Sequence, residues 1–185
     1  MLILASQSPR RQALLAAMDI EFQVMAKPVD EVFSKDIPVE NVAEYLAEKK
    51  AEAFDFAELP KDTTLLACDT TVIVDNEILG KADTPDEAKA MLRKLSNRKH
   101  AVITGVCIKT STQKILFSET TWVHFKPLTE EQIGYYVETY KPFDKAGAYG
   151  IQEWIGLVGI SRIEGCYYNV MGLPAARLIE RLSKL

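Results

Sequence analysis

Apolar and polar positions follow two rhythms along this chain, one of period two and one of period three to four. Leu2 to Ala5 is a short apolar run, closed by the small polar residues Ser6, Gln7 and Ser8. Ser8 followed by Pro9 predicts a helix start, because serine caps free N–H groups and proline lacks only an N–H that would be unpaired there anyway. That helix runs to about Met18. A strand is predicted at Phe22–Met25, a polar loop over Pro28–Pro38, and a second helix from Val39 to Phe54. The β-branched and apolar residues at Thr64–Asp69 and Thr71–Val74 predict a strand with a break. Asp75-Asn76 marks a turn, and a short extended piece follows through Leu79. Ala88, Met91, Leu92 and Leu95 share one face of a helix over Asp86–Leu95. Ala101–Lys109 and Lys114–Phe125 predict a long antiparallel hairpin around Ser111-Thr112. Thr129 opens a helix ending near Tyr140. The glycine-rich, aromatic stretch Phe143–Gly172 predicts loops and short strands, and Pro174–Leu185 a last helix with Leu178, Ile179 and Leu182 inward. The alternation predicts an α/β fold, a mixed twisted sheet with flanking helices, as one domain over residues 1–185.

Composition narrows the functional classes. With 185 residues, 48% hydrophobic and 26% charged, the chain has material for a real core, which excludes a disordered segment. A net charge of −4 supplies no basic footprint for a nucleic acid, whereas a small phosphorylated ligand needs only a local cluster of cations. No apolar run approaches the roughly 20 residues that span a bilayer. At the N-terminus the charges follow the apolar stretch, the reverse of a signal peptide. Cys68, Cys107 and Cys166 are scattered and form no CxxC, which suits a reducing, cytoplasmic setting. The sequence has no GxxxxGK[ST], GxGxxG or HExxH. Two histidines, His100 and His124, are too few for a His-based metal site and read as ordinary strand residues.

Three places carry candidate chemistry. Ser6-Gln7-Ser8-Pro9-Arg10-Arg11 sits where a strand hands over to a helix, whose first N–H groups and dipole attract anions. Two arginines there oppose the dipole unless an anion reverses the sign; solvated arginines on a capped helix are the plainer alternative. Asp69 ends an apolar run, where a carboxylate needs a cation, a metal or good donors. It also stands at a predicted strand end, the usual place for ligands in α/β sheets; a turn-capping role is the alternative. Lys50 falls near the centre of the stripe formed by Val39, Ala43, Leu46, Ala53 and Phe54, so it must either snorkel or meet an anion. Glu31 and Lys81 are charged loop residues of weaker standing. The segment Asp144 to Gln152 combines small residues with two glycines and reads first as a tight turn.

Taken together, LASQSPRRQALL, VDE at Val29–Glu31, EKKA at Glu48–Ala51, CDTTVIVDNEILGKA, TGV at Thr104–Val106, DKAGAYGIQ and NVMGLP at Asn169–Pro174 resemble the Maf family of nucleotide pyrophosphatases, also called septum-formation inhibitor proteins. The resemblance covers nearly the whole chain. It implies a mixed-sheet fold related to inosine-triphosphate pyrophosphatases, a divalent metal, Mg²⁺ or Mn²⁺, and at family level a homodimer. Asp69 matches the family's proton acceptor, and Ser6, Arg10, Arg11, Glu31, Lys50 and Lys81 its polar cluster. Arg10, Thr70 and Gln152 stand where members acting on dTTP and UTP carry Arg, Thr and Gln; members specific for 7-methyl-GTP carry Trp, Gln and Glu there. Gly80-Lys81-Ala82 departs from the usual Gly-Lys-Pro and loosens the loop after the lysine.

The chemistry implied is hydrolysis of dTTP and UTP, or of modified pyrimidine nucleotides, to the monophosphate and pyrophosphate. Asp69 would be the base, Glu31 and Asp69 the metal ligands, and Lys50 and Lys81 would stabilise the leaving group. Ser6, Arg10, Arg11, Thr70 and Gln152 would bind substrate, and the cations and metal would hold Asp69 ionised. Two alternatives stand beside this: a nucleotide-binding regulator of cell division acting through partner contacts, and a 7-methyl-GTP-type pyrophosphatase.

Overall fold

A computed structural model describes residues 1–185. The strands are β1 (Leu2–Leu4), β2 (Phe22–Val24), β3 (Thr64–Val74), β4 (Glu77–Leu79), β5 (Lys99–Lys109), β6 (Lys114–Phe125) and β7 (Ile160–Glu164). The helices are α1 (Pro9–Ala17), α2 (Val42–Glu52), α3 (Pro85–Leu95), α4 (Glu130–Tyr140), α5 (Trp154–Gly159), α6 (Tyr167–Val170) and α7 (Ala175–Leu182). All seven strands join one mixed sheet in the order β2-β1-β3-β5-β6-β7, with β4 on β3. No helix is long and apolar enough to cross a membrane.

The chain divides into two compact units. The first comprises residues 1–70, 104–119 and 172–185; the second comprises 71–103 and 120–171.

In the first unit β1 lies between β2 and β3 and runs parallel to both, Leu2–Leu4 facing Phe22–Val24 on one side and Thr64–Leu66 on the other. The chain passes from β1 through α1 to one neighbour, then through α2 to the other, so its progress across the sheet reverses at β1. Parallel sheets bind ligands beyond the carboxyl ends of strands at such a point. The core here is Ile3, Ala5, Leu65 and Ala67 against Ala47 and Ala51 of α2 and Phe54 just after it. Gly105 on β5 explains how close α2 comes: an added Cβ would sit 2.2 Å from the Ala43 carbonyl oxygen.

In the second unit Asp75 and Asn76 both take positive φ, 51° and 59°. They make the two-residue hairpin that joins Val74 of β3 to Glu77 of β4, a turn whose twist suits the flanking strands. Thr84 caps α3, and a reciprocal capping box of Thr129 and Gln132 starts α4. Ala88, Leu92 and Leu95 of α3 and Ile133, Tyr136 and Val137 of α4 fill one core with Val72, Val102, Val123 and Ile155.

Three expectations need correction. β3 is unbroken from Thr64 to Val74, so Asp69 is its sixth residue rather than its end. The stretch 143–172 holds the short helices α5 and α6 beside β7. Ile179 on α7 is 45% exposed, and only Leu178 of the three inward candidates is fully buried.

Candidate active site

Side chains alternate across a strand, so Leu65, Ala67 and Asp69 of β3 project to one face. Leu65 and Ala67 pack on α2, and Asp69 is the next residue on that face. Along α2, Ala43, Ala47 and Lys50 recur at helical spacing, and Phe54 follows just past the helix end. The two patterns meet at Lys50, whose Nζ lies 2.5 Å from Asp69 Oδ1 and 2.7 Å from Glu31 Oε1. The inward lysine of the stripe therefore meets an anion, and the anion is the protein's own. Its neighbour Lys49 points aside and donates to the Val32 carbonyl at 2.9 Å.

Although Asp69 lies mid-strand, it comes just after the part of β3 paired with β1, which ends at Leu66. It therefore stands beyond the carboxyl end of the parallel segment, where Ser6 also leaves β1. Asp69 is 9% exposed. Burial raises its carboxyl above the ordinary carboxylate range, outweighing the attraction and hydrogen bond of Lys50 and the charge of Arg11, while Glu31 pushes the same way as burial. This corrects the expectation that neighbouring cations hold it down. Lys50 engages Oδ1, leaving Oδ2 to accept a proton.

Thr70 faces the opposite side of β3. Its hydroxyl accepts from Arg11 Nη2 at 3.0 Å and shares a hydrogen bond with Thr104 Oγ1 at 2.9 Å. The rest of the Arg11 fork donates to Ser6 Oγ at 3.1 Å and, through Nε, to the Gly172 carbonyl at 2.9 Å. One guanidinium thus ties together the exit of β1, the middle of β3 and the turn before α7. Such planar three-way bonding is what arginine offers and lysine does not. Arg10, one residue earlier in the first turn of α1, is half-buried.

The second unit carries the other two candidates. Lys81 is exposed, between Gly80 and the buried Ala82; the Gly80 carbonyl accepts from Gly147 N at 2.9 Å. Gln152 is exposed and lines a cavity of about 380 Å³ with Leu157, Ile160, Arg162, Ile163 and Tyr167. Ser6, Arg11, Glu31, Lys50, Asp69 and Thr70 are therefore knit into two adjoining hydrogen-bonded groups of the first unit, while Lys81 and Gln152 belong to the second.

A Maf-like protein family model matches residues 1–185. The chain belongs to the Maf family. It is 49% identical to a protein of Flavobacterium psychrophilum over 96% of this chain and 90% of that one. It is 49% identical to a protein of Porphyromonas gingivalis over 98% and 92%, and 48% identical to one of Cytophaga hutchinsonii over 100% and 84%. All three relatives carry the name dTTP/UTP pyrophosphatase.

Within this Maf chain the sequence alone missed several supporting groups. Thr104 was visible only as part of a motif, and the Gly172 carbonyl carries no side-chain signal at all. Tyr136 is fully buried beside an exposed Tyr135, with its hydroxyl donating to Glu153 Oε2. His100 is also fully buried, paired through Nε2 with the Tyr149 hydroxyl at 2.7 Å and held neutral by burial, its pKa brought down to about 3. It is a strand residue of β5, as expected, and part of the core.

Proposed function

We propose that this chain is a nucleoside triphosphate pyrophosphatase that hydrolyses dTTP and UTP to the monophosphate and pyrophosphate. The observation that carries the reading is the Glu31–Lys50–Asp69 cluster: a buried carboxylate with a raised proton affinity, one oxygen on a lysine, just past the segment of β3 that pairs in parallel with β1. The names of the full-length relatives supply the substrate class.

In this reading Asp69 Oδ2 takes the proton of the attacking water as the bond between the α- and β-phosphates breaks. A carboxyl above its usual range holds that proton better than a solvated aspartate. Lys50 keeps Asp69 in position and presents positive charge to the phosphates, and Lys81 and Arg10 add to that charge. Arg11 acts chiefly by fixing Ser6 and Thr70. Gln152 reads the base: its amide offers one donor and one acceptor, matching N3–H and O4 of a thymine or uracil. Glu31 and Asp69 converge on one cation, and two carboxylates with substrate phosphates are a donor set that suits Mg²⁺. Bound there, the metal would neutralise phosphate charge and polarise the bond that breaks.

A panel of nucleoside triphosphates, assayed for pyrophosphate release with Mg²⁺ or Mn²⁺, tests the reading. dTTP and UTP should be the best substrates, ahead of 7-methyl-GTP. Absence of pyrophosphate release from every nucleotide would leave the partner-binding alternative.

A further inference from the structure

The turn that carries Gln152 is held from behind by three side chains outside the proposed chemistry. Tyr136 of α4 accepts at its hydroxyl from Gly150 N, at 3.0 Å, and donates to Glu153 Oε2. Lys145 Nζ lies 3.0 Å from Glu153 Oε1 and 2.7 Å from Asp144 Oδ1. The backbone closes the same loop, Glu153 N donating to the Gly150 carbonyl at 3.0 Å. An added Cβ at Gly150 would lie 2.8 Å from the Glu153 carboxyl carbon and would push that carboxylate aside. Gly156 continues the packing, since a Cβ there would meet the Ile151 carbonyl oxygen at 1.8 Å.

The consequence falls on the two residues at the tip of the turn. Both line the cavity, Ile151 buried at 6% exposure and Gln152 exposed. Ordinary loop side chains need no such support. A buried tyrosine, a half-buried glutamate and a buried lysine that close one hydrogen-bonded circuit behind a single exposed amide are what preorganised recognition requires. Tyr136 keeps its proton, burial and the Glu153 charge both pushing its pKa up, so its hydroxyl stays a donor to the carboxylate throughout the neutral range.

We propose that Tyr136, Glu153 and Lys145 form a positioning network that sets the direction of the Gln152 amide and thereby the preference for a pyrimidine over a purine triphosphate. This rests on the reading that Gln152 contacts the base. The three are positioning residues and touch no substrate themselves.

The test compares kcat/KM for dTTP and for GTP in five proteins: wild type, Tyr136→Phe, Glu153→Gln, Gln152→Ala, and Tyr136→Phe combined with Gln152→Ala. Tyr136→Phe keeps the stacked ring on Tyr140 and should fold. It should lower the dTTP-to-GTP ratio about tenfold, mainly through KM for dTTP, the scale of one charge-assisted hydrogen bond. Glu153→Gln, which keeps an acceptor for Tyr136, should retain more of the ratio. In the Gln152→Ala background Tyr136→Phe should change the ratio no further, because the network would act only through that amide. An unchanged ratio in Tyr136→Phe, with Gln152→Ala lowering it, overturns the network and keeps Gln152 as base reader. An unchanged ratio in Gln152→Ala removes the base-reading role itself, and the network's role with it. A fall of both substrates alike in Tyr136→Phe, with a lower melting temperature, makes the circuit purely structural and also overturns the proposal.

Discussion

Replacing Lys50 with methionine removes the one cation shared by two carboxylates. From the apolar stripe of α2 alone, methionine should fit well at this position. The structure reverses that expectation, because Asp69 would be left buried, with Glu31 beside it and no partner on Oδ1. Removing one member of a buried pair costs about 3–5 kcal/mol when the other stays charged. Asp69 can escape part of this by taking up a proton. Its carboxyl is already raised by burial, and Lys50 supplies the two largest effects that hold it down. Without Lys50 it rises further. A carboxyl raised in the folded state leaves stability intact below its unfolded pKa and removes it as pH climbs through the folded pKa. The deficit of Lys50→Met should therefore be small at about pH 5 and grow toward pH 8. At roughly 2–4 °C per kcal/mol for a chain of this size, the variant should melt about 6–20 °C below wild type at the higher pH. Thermal melts in metal-free buffer across that range, with turnover measured in parallel, decide it. Lys50→Met combined with Asp69→Asn should recover most of the loss. A deficit that is the same at both pH values, with unchanged turnover, would refute the coupling and return Lys50 to an incidental surface pair.

Two further substitutions test the scaffold. Arg11→Lys keeps the charge and loses the fork that reaches Ser6, Thr70 and Gly172; with about 1 kcal/mol net for each bond lost, melting should fall by several degrees and turnover with it. An unchanged melting temperature with lost turnover would instead make Arg11 a direct phosphate ligand. Gly105→Ala forces a methyl to within 2.2 Å of the Ala43 carbonyl oxygen and should cost at least about 1–3 kcal/mol, as overpacking does; a melt indistinguishable from wild type would show that α2 can move aside.

How much of this was legible beforehand follows from the range of the forces involved. Asp75-Asn76 was readable as a turn because residues that tolerate left-handed backbone carry their own signal, and both adopt it. The cap at Thr129 and the face of α3 are local in the same way. The break expected between Asp69 and Thr71 is absent: pairing across the sheet keeps β3 extended, which no local propensity reveals. Helices α5 and α6, of six and four residues, are too short to show a period. At the site, helical geometry alone turned Lys50 inward. Its partners could not be read from spacing, because Glu31 and Asp69 stand 19 residues away on either side and only the fold joins them. The sign of the Asp69 shift was missed for a related reason: the cations were visible in sequence, and the depth of burial was not.

The assignment of Asp69 as the base is tested most directly by Asp69→Asn. Asparagine preserves size and much of the hydrogen bonding and cannot accept the water's proton as a carboxylate does. Single-turnover pyrophosphate release from dTTP and UTP should fall by about 10²–10⁴. Because burial outweighs the favourable charges around this carboxylate, the variant should melt no lower than wild type at pH 8. Near-wild-type release from Asp69→Asn would contradict the account.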